Sequence, residues 1–381
     1  MNFVMLMPPP AVYNAGDALT FQLYSGHAFY IVPTGAPIEL ALVIGSQART
    51  ATLQYMTTGP ADFIVETQLI FTYRVQAGDN DSDGVAAVAL SDPDGRLFDL
   101  INGDPPTFYG STLANVTVDT VAPTATLDAP ANGTRVAGDV VSLALDLDEA
   151  VTIANAVDPV TLALTVGSQA RTATLNESAS TATRLVFEYT VQSGDNDADG
   201  IAVGALSDAG GRVADAAGNA LTFTGGSTLA NVTVDAVAPM ATLDSAASGT
   251  RVAGDVISVA LDTSEAVSIH TGADPITLAL TVGSQARTAT LNEAASTATH
   301  LVFEYTVQSG DHDADGIVVG ALSDAGGRVT DGAGNALTFA GGSTLANVTV
   351  DAVAPSATLD TVANGLRGPG NILVFALNLS E

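Results

Sequence analysis

The stretch "LVFEYTVQ" (301–308) alternates: Leu301, Phe303, Tyr305 and Val307 fall on one face, Val302, Glu304, Thr306 and Gln308 on the other. A period of two held over eight residues predicts a strand with one buried face. "VISVALDTS" (256–264) does the same with Ile257, Val259 and Leu261. "PITLALTVG", "ARTATL", "GIVVGALSD", "NALTF" and "LANVTVD" supply further short strands. Gly-, Asn-, Asp- and Ser-rich turns such as "SDAGGR" and "DGAGNA" separate them. No stretch sustains a 3.6-residue apolar period. Seven or so strands in about 110 residues, without helices, predict an antiparallel β-sandwich, with a barrel as the alternative.

The pattern recurs. "VDTVAP" (118–123), "VDAVAP" (234–239) and "VDAVAP" (350–355) stand 116 residues apart, as do Asp79, Asp195 and Asp311. Residues 160–239 and 276–355 differ at only eight of 80 positions, so identity between those copies reflects duplication more than selection. The first copy has diverged and carries about six extra residues after "GSQARTATL" (45–53). The expected division is 1–118, 119–234 and 235–350 as three repeats, with 351–381 the start of a fourth. Met1 aligns with the linker proline Pro123, and Glu381 with Glu149 and Glu265, so the chain is expected to be cut from a longer array. Each joint runs from "ANVTVD" through a proline straight into the next strand, with no Gly/Ser-rich linker. With strands of about eight residues spanning roughly 27 Å, three such units predict a rod longer than about 100 Å.

Tandem β units with "FEYTVQSGDNDADGI", a "DxAGNAL" turn and "VDxVAP" joints resemble the bacterial immunoglobulin-like repeats of large secreted or surface proteins and adhesins. The resemblance covers nearly the whole chain. It implies an exported, extended array, often stiffened by calcium, in a family that includes spacers as well as binding modules. The first unit departs from the pattern: His27 stands where later copies have Glu149 and Glu265, and Gly103 where they have Asn219 and Asn335.

Each repeat carries Asp-x-Asp-x-Asp-Gly: "GDNDSDG" (78–84), "GDNDADG" (194–200) and "GDHDADG" (310–316). This is the opening half of a calcium loop, in which alternate side chains converge and glycine permits the bend. The candidate metal ligands are Asp79, Asp81 and Asp83; Asp195, Asp197 and Asp199; and Asp311, Asp313 and Asp315. The EF-hand reading stops there, because Leu90, Leu206 and Leu322 occupy the position that requires a bidentate Glu. Remaining ligands would come from Asp208 and Asp324, or from Asp215 and Asp331 in the "DxAGN" turns. The competing readings are a solvated hairpin turn and another metal. A second cation site is expected at the joints, where Asp119, Asp235 and Asp351 lie in linkers and Glu149 and Glu265 end a strand of the following unit; ordinary surface acids are the alternative.

The 381 residues carry 41 acids against 11 bases, a net charge of −30. All eleven bases are Arg. Such a chain repels nucleic acid and anionic lipid and attracts cations, which would offset its self-repulsion. Cysteine is absent, which excludes disulfides, catalytic thiols and Cys-based zinc sites. No apolar run approaches a membrane span, and "MNFVMLMPPP" lacks the basic n-region of a signal peptide. The histidines, His27, His270, His300 and His312, do not recur at equivalent positions and read as solvated. "NVT" at Asn115, Asn231 and Asn347 fits a glycosylation acceptor but falls inside a predicted strand. No hydrolase elbow, phosphate loop or His-Glu-x-x-His appears, so no enzyme is expected. The reading is a calcium-binding spacer of an exported adhesin-like protein at the bacterial surface, its partners the adjacent repeats and a host or surface glycan or protein. The alternatives are a glycan- or protein-binding module and the accessory stalk of a secreted hydrolase.

Overall fold

The computed structural model describes residues 2–32, 35–54, 64–155, 158–244, 246–360 and 365–380, with side chains omitted at 64–66. By compactness the chain divides into two units. One comprises Met1–Ala131, Val140–Tyr189 and Ile201–Leu229; the other comprises Asn132–Asp139, Thr190–Gly200 and Ala230–Glu381. Every regular element among the described residues is a β-strand.

The third repeat, within the second unit, shows the plan. Its main sheet runs in the order Ala241–Leu243, Val256–Thr263, His300–Thr306, Gln285–Leu291, Thr277–Val282, Ile317–Ser323, Ser343–Leu345. Its paired neighbours run antiparallel. The edge strands, Ala241–Leu243 and Ser343–Leu345, do not pair with each other, so the sheet does not close into a barrel. A second ladder sets Val348–Asp351 between Gly249–Arg251 and His312–Asp313. The chain thus enters twice: Ala241–Leu243 joins the main sheet, then Gly249–Arg251 pairs parallel with the last strand. This is an immunoglobulin-like antiparallel β-sandwich.

The alternation read from sequence is what fills it. Leu301, Phe303, Tyr305 and Val307 are buried, as are Ile257, Val259 and Leu261 opposite them, and Val348 and Val350 of the last strand join the same core. Burying a large apolar side chain contributes about 1.5–3 kcal/mol, which is why a one-residue register slip is not tolerated here. The hairpin "TVGSQ" turns at Gly283, whose φ is +57°. A Cβ there would lie 2.2 Å from the His312 carbonyl oxygen, so only glycine fits.

The first repeat, within the first unit, keeps this order: Phe3–Leu6, Ala18–Ile31, Ile64–Arg74, Gln47–Gln54, Glu39–Ile44, Val85–Ser91, Ser111–Leu113. Ala18–Ile31 runs 14 residues and also pairs with Leu97–Asp99, and Phe29 packs edge-on against Phe3 with ring centroids 5.7 Å apart. Part of the insertion expected after residue 53 lies outside the described residues. The second repeat's main sheet has the same order, from Ala125–Asp128 to Ser227–Leu229.

Two local expectations are corrected. "NALTF" forms only isolated bridges among the described residues, Ala214 with Ala220, Thr330 with Ala336 and Met240 with Thr338, because its Asn is drawn into a turn closed by Asp215 or Asp331. Asn115, Asn231 and Asn347 lie in exposed turns rather than inside strands.

Candidate metal centres

The aspartate loops end on side chains turned inward. In the third repeat Asp311 is fully buried. Its Oδ1 accepts from Arg287 Nη2 at 2.7 Å, and its Oδ2 accepts from the Tyr305 hydroxyl and from Gln308 N at 2.9 Å. In the first repeat Asp79 does the same with Arg49 Nε at 2.7 Å, Tyr73 at 2.5 Å and Gln76 N at 2.9 Å. Burial, then the bond to Asp79, pushes the Tyr73 hydroxyl up to about 12; Tyr305 is raised for the same reasons. Burial would raise Asp311, but its bonds from Tyr305, Arg287 and Gln308 outweigh that and hold it below the ordinary carboxylate value. In the second repeat Asp195 is also buried and accepts from Gln192 N at 2.9 Å.

The second aspartate of each loop is a turn lock. Asp313 accepts from Gly283 N at 2.6 Å and from Gly316 N at 2.7 Å, tying the "TVGSQ" hairpin to the loop. Asp81 makes the matching pair with Gly45 N and Gly84 N, and Asp197 accepts from Gly200 N at 2.7 Å. The third aspartate, Asp83, Asp199 or Asp315, is exposed. In each loop the first two aspartates accept hydrogen bonds from the protein and the third faces solvent. Asp-x-Asp-x-Asp spacing cannot reveal all of these partners, because some donors, such as Arg287 and Gly45, come from 24 and 36 residues away.

The carboxylates that do meet are those of the joints. Asp119, Glu149 and Asp215, in the first unit, each offer an oxygen, all within 4.8 Å of one another; Asp235, Glu265 and Asp331 repeat the arrangement in the second unit. The base of each cluster is rigid. Asp331 is buried; its Oδ1 accepts from Ala333 N, Gly334 N and Asn335 N at 2.7–2.9 Å, and its Oδ2 from Asn335 Nδ2 at 2.9 Å. The same Asn335 Nδ2 donates to the Asp235 carbonyl at 2.8 Å, reaching 100 residues back into the joint. Asp215 and Asn219 form the same clasp on the Asp119 carbonyl at 2.9 Å.

Electrostatics mark these clusters as uncompensated. Burial, then the charges of Asp331 and Asp235, raise Glu265 above the ordinary value; burial, then Asp119, Asp215 and Asp148, raise Glu149. Burial opposes ionisation of Asp331, but its hydrogen bonds, led by Asn335, win and lower it. A hard, all-oxygen donor set with unbalanced charge and one pre-bonded carboxylate suits Ca²⁺. Asp215 and Asp331, first considered for the aspartate loops, belong here instead. The third joint, at Asp351, has its matching Glu381 outside the described residues. A further group, Asp244, Asp262 and His300, also gathers three ligand atoms within 4.8 Å. Sequence reading passed over it, though the exchange of Arg184 for His300 across one repeat length was the available signal.

No family model and no curated protein matches the sequence. Among solved structures, the chain is similar to the chicken CNTN1 FN1-FN3 domains at 8% identity, covering 87% of this chain and 96% of that one, with a TM-score of 0.19. It is similar to a biofilm associated protein BSP domain at 11% identity, covering 93% and 83%, with a TM-score of 0.21. A DUF4785 family protein from Legionella pneumophila gives 11% identity, 91% and 85% coverage and a TM-score of 0.18. Similarity at this level carries no functional argument, and the immunoglobulin-like assignment stands on the strand order and the parallel first-to-last pairing. No helix among the described residues is long and apolar enough to cross a membrane.

Proposed function

We propose that these repeats are spacer units of an exported, adhesin-like bacterial surface protein, and that Ca²⁺ sets the joints between consecutive repeats. The observation that supports this most is the three-carboxylate group at each of the first two joints. Asp119 and Asp235, the last residues of the strands Val116–Asp119 and Val232–Asp235 that lead into the joints, meet Glu149 with Asp215 and Glu265 with Asp331. Without a cation, three negative charges at the joint repel. With Ca²⁺, Asp119 joins Glu149 and Asp215, and Asp235 joins Glu265 and Asp331, as ligands of one ion, so each repeat is tied to its neighbour. A calcium-poor interior would leave the joints pliable before export, and calcium-rich surroundings would fix them. In this reading a module beyond the repeats engages the glycan or protein partner.

The test is a thermal melt of the full chain in EDTA and in millimolar CaCl₂, with MgCl₂ as control. A calcium-specific rise that disappears in the Glu149→Gln, Glu265→Gln double variant supports the reading. An equal rise in that variant, or none in the parent chain, overturns it.

A further inference from the structure

The second repeat contains a cation of its own. Arg184 Nη1 lies 2.5 Å from Asp146 Oδ1, and its Nη2 lies 2.5 Å from Asp128 Oδ2. A guanidinium is permanently charged and bridges two carboxylates through separate N–H donors, so this surface triad is partly compensated. One repeat length on, both carboxylates are kept as Asp244 and Asp262, but His300 replaces the arginine. An imidazole nitrogen can ligate a metal, which a guanidinium does not do.

The backbone holds these three positions together. Asp262 and His300 are directly opposed on neighbouring antiparallel strands. Asp244 follows Ala241–Leu243, the next strand over, and its N–H donates to the Ala260 carbonyl at 2.9 Å. His300 Nδ1 lies 2.6 Å from Asp262 Oδ1, and one ligand atom from each of the three residues falls within 4.8 Å of the others.

We propose that Asp244, Asp262 and His300 form a site for a divalent transition metal of the Zn²⁺ class. Two observations meet here: the gathering of the three donors, and the replacement by a metal-ligating residue type of the arginine that bridges the corresponding carboxylates in the second repeat. One imidazole nitrogen with two carboxylate oxygens is a zinc-type donor set, whereas Ca²⁺ takes oxygen ligands. With bonds of about 2.0–2.2 Å, two ligands of a tetrahedral zinc lie roughly 3.3 Å apart. Binding therefore parts the 2.6 Å His300–Asp262 contact to the spacing of two ligands, and water completes the shell. The site shares no residue with the joint clusters.

The experiment is a calorimetric titration of the full chain with ZnCl₂, in enough CaCl₂ to occupy the oxygen-only joints. The comparison is His300→Arg, which rebuilds the arrangement already present at Arg184 and so keeps the fold. The unsubstituted chain is expected to bind one more equivalent of Zn²⁺ than His300→Arg, with the His300 ring resonances shifting as that equivalent is added. Asp244→Asn is expected to weaken this binding roughly tenfold or more. Equal stoichiometry in the two chains, or unmoved His300 resonances, would overturn the proposal. An unweakened site in Asp244→Asn would overturn the three-ligand set.

Discussion

Asp311 and Asp331 are both nearly fully buried carboxylates of the third repeat, and both accept several hydrogen bonds. Asp311 has the Arg287 guanidinium at 2.7 Å, so its charge is matched. Asp331 has only neutral donors, and its nearby charges are Glu265 and Asp235, both negative. Hydrogen bonds satisfy the lone pairs of each; only one of them is charge-compensated. A carboxylate of the first kind holds a fold together, and one of the second kind leaves room for a cation. The first repeat makes the same point. Its Asp99, in the position of Asp215, faces His27 Nδ1 at 3.9 Å rather than a glutamate, so the crowding of like charge seen at the later joints is relieved there.

The difference can be broken from either side. The largest effect is expected from Asp311→Ala, which strands the Arg287 charge and the Tyr305 hydroxyl: about 3 kcal/mol of stability lost in denaturant melts, with the calcium-dependent gain intact. A loss of the calcium gain in that variant would contradict the division of roles. Next comes calcium itself. At a hundredfold excess over Kd each joint adds about 2.7 kcal/mol, read as a rise in Tm over the EDTA sample.

Smaller, and opposite in sign between the two carboxylate types, is the dependence on pH without calcium. Glu149 and Glu265 are raised in the fold, so their contribution is favourable at and below the ordinary glutamate value and is lost as pH rises through their folded values. Glu265→Gln should therefore raise Tm at neutral pH in EDTA. Asp311 is lowered, so its contribution is present above the ordinary aspartate value and fades as pH falls through its folded one. The raised Tyr73 adds stability that is lost between about pH 10 and 12, where the unfolded chain ionises first. An acid melt of Asp311→Asn against the parent chain isolates the Asp311 part. The smallest effect belongs to Asp315→Ala: the side chain is exposed, and a change within about 0.5 kcal/mol is expected, with or without calcium.

The strands were legible because period two is a local signal, and Leu301, Phe303, Tyr305 and Val307 all face the core as their alternation required. The joint acids were legible in part. Asp119 and Asp235 stood out by their place in the linkers, and Glu149 and Glu265 at strand ends, but the third member of each group, Asp215 or Asp331, reaches them through a turn that no spacing rule describes. The aspartate loops were legible only as a spacing. A motif records which ligands are close in sequence, whereas the charged donors to Asp79 and Asp311, Arg49 and Arg287, come from 30 and 24 residues away. "NALTF" read as a strand because its apolar alternation was visible and the asparagine clasp at its start was not.

The parallel pairing of Gly249–Arg251 with Val348–Asp351 joins the first and last segments of the third repeat side by side and in the same direction. A pull on the two chain ends therefore slides these strands past each other instead of peeling them apart. The hydrogen bonds between them bear the load together, in shear, where a hairpin with its ends on one side would yield one rung at a time. Stretched singly, this repeat is expected to rupture in one high-force event, and a sequence of small low-force steps would show that another pair of strands carries the tension.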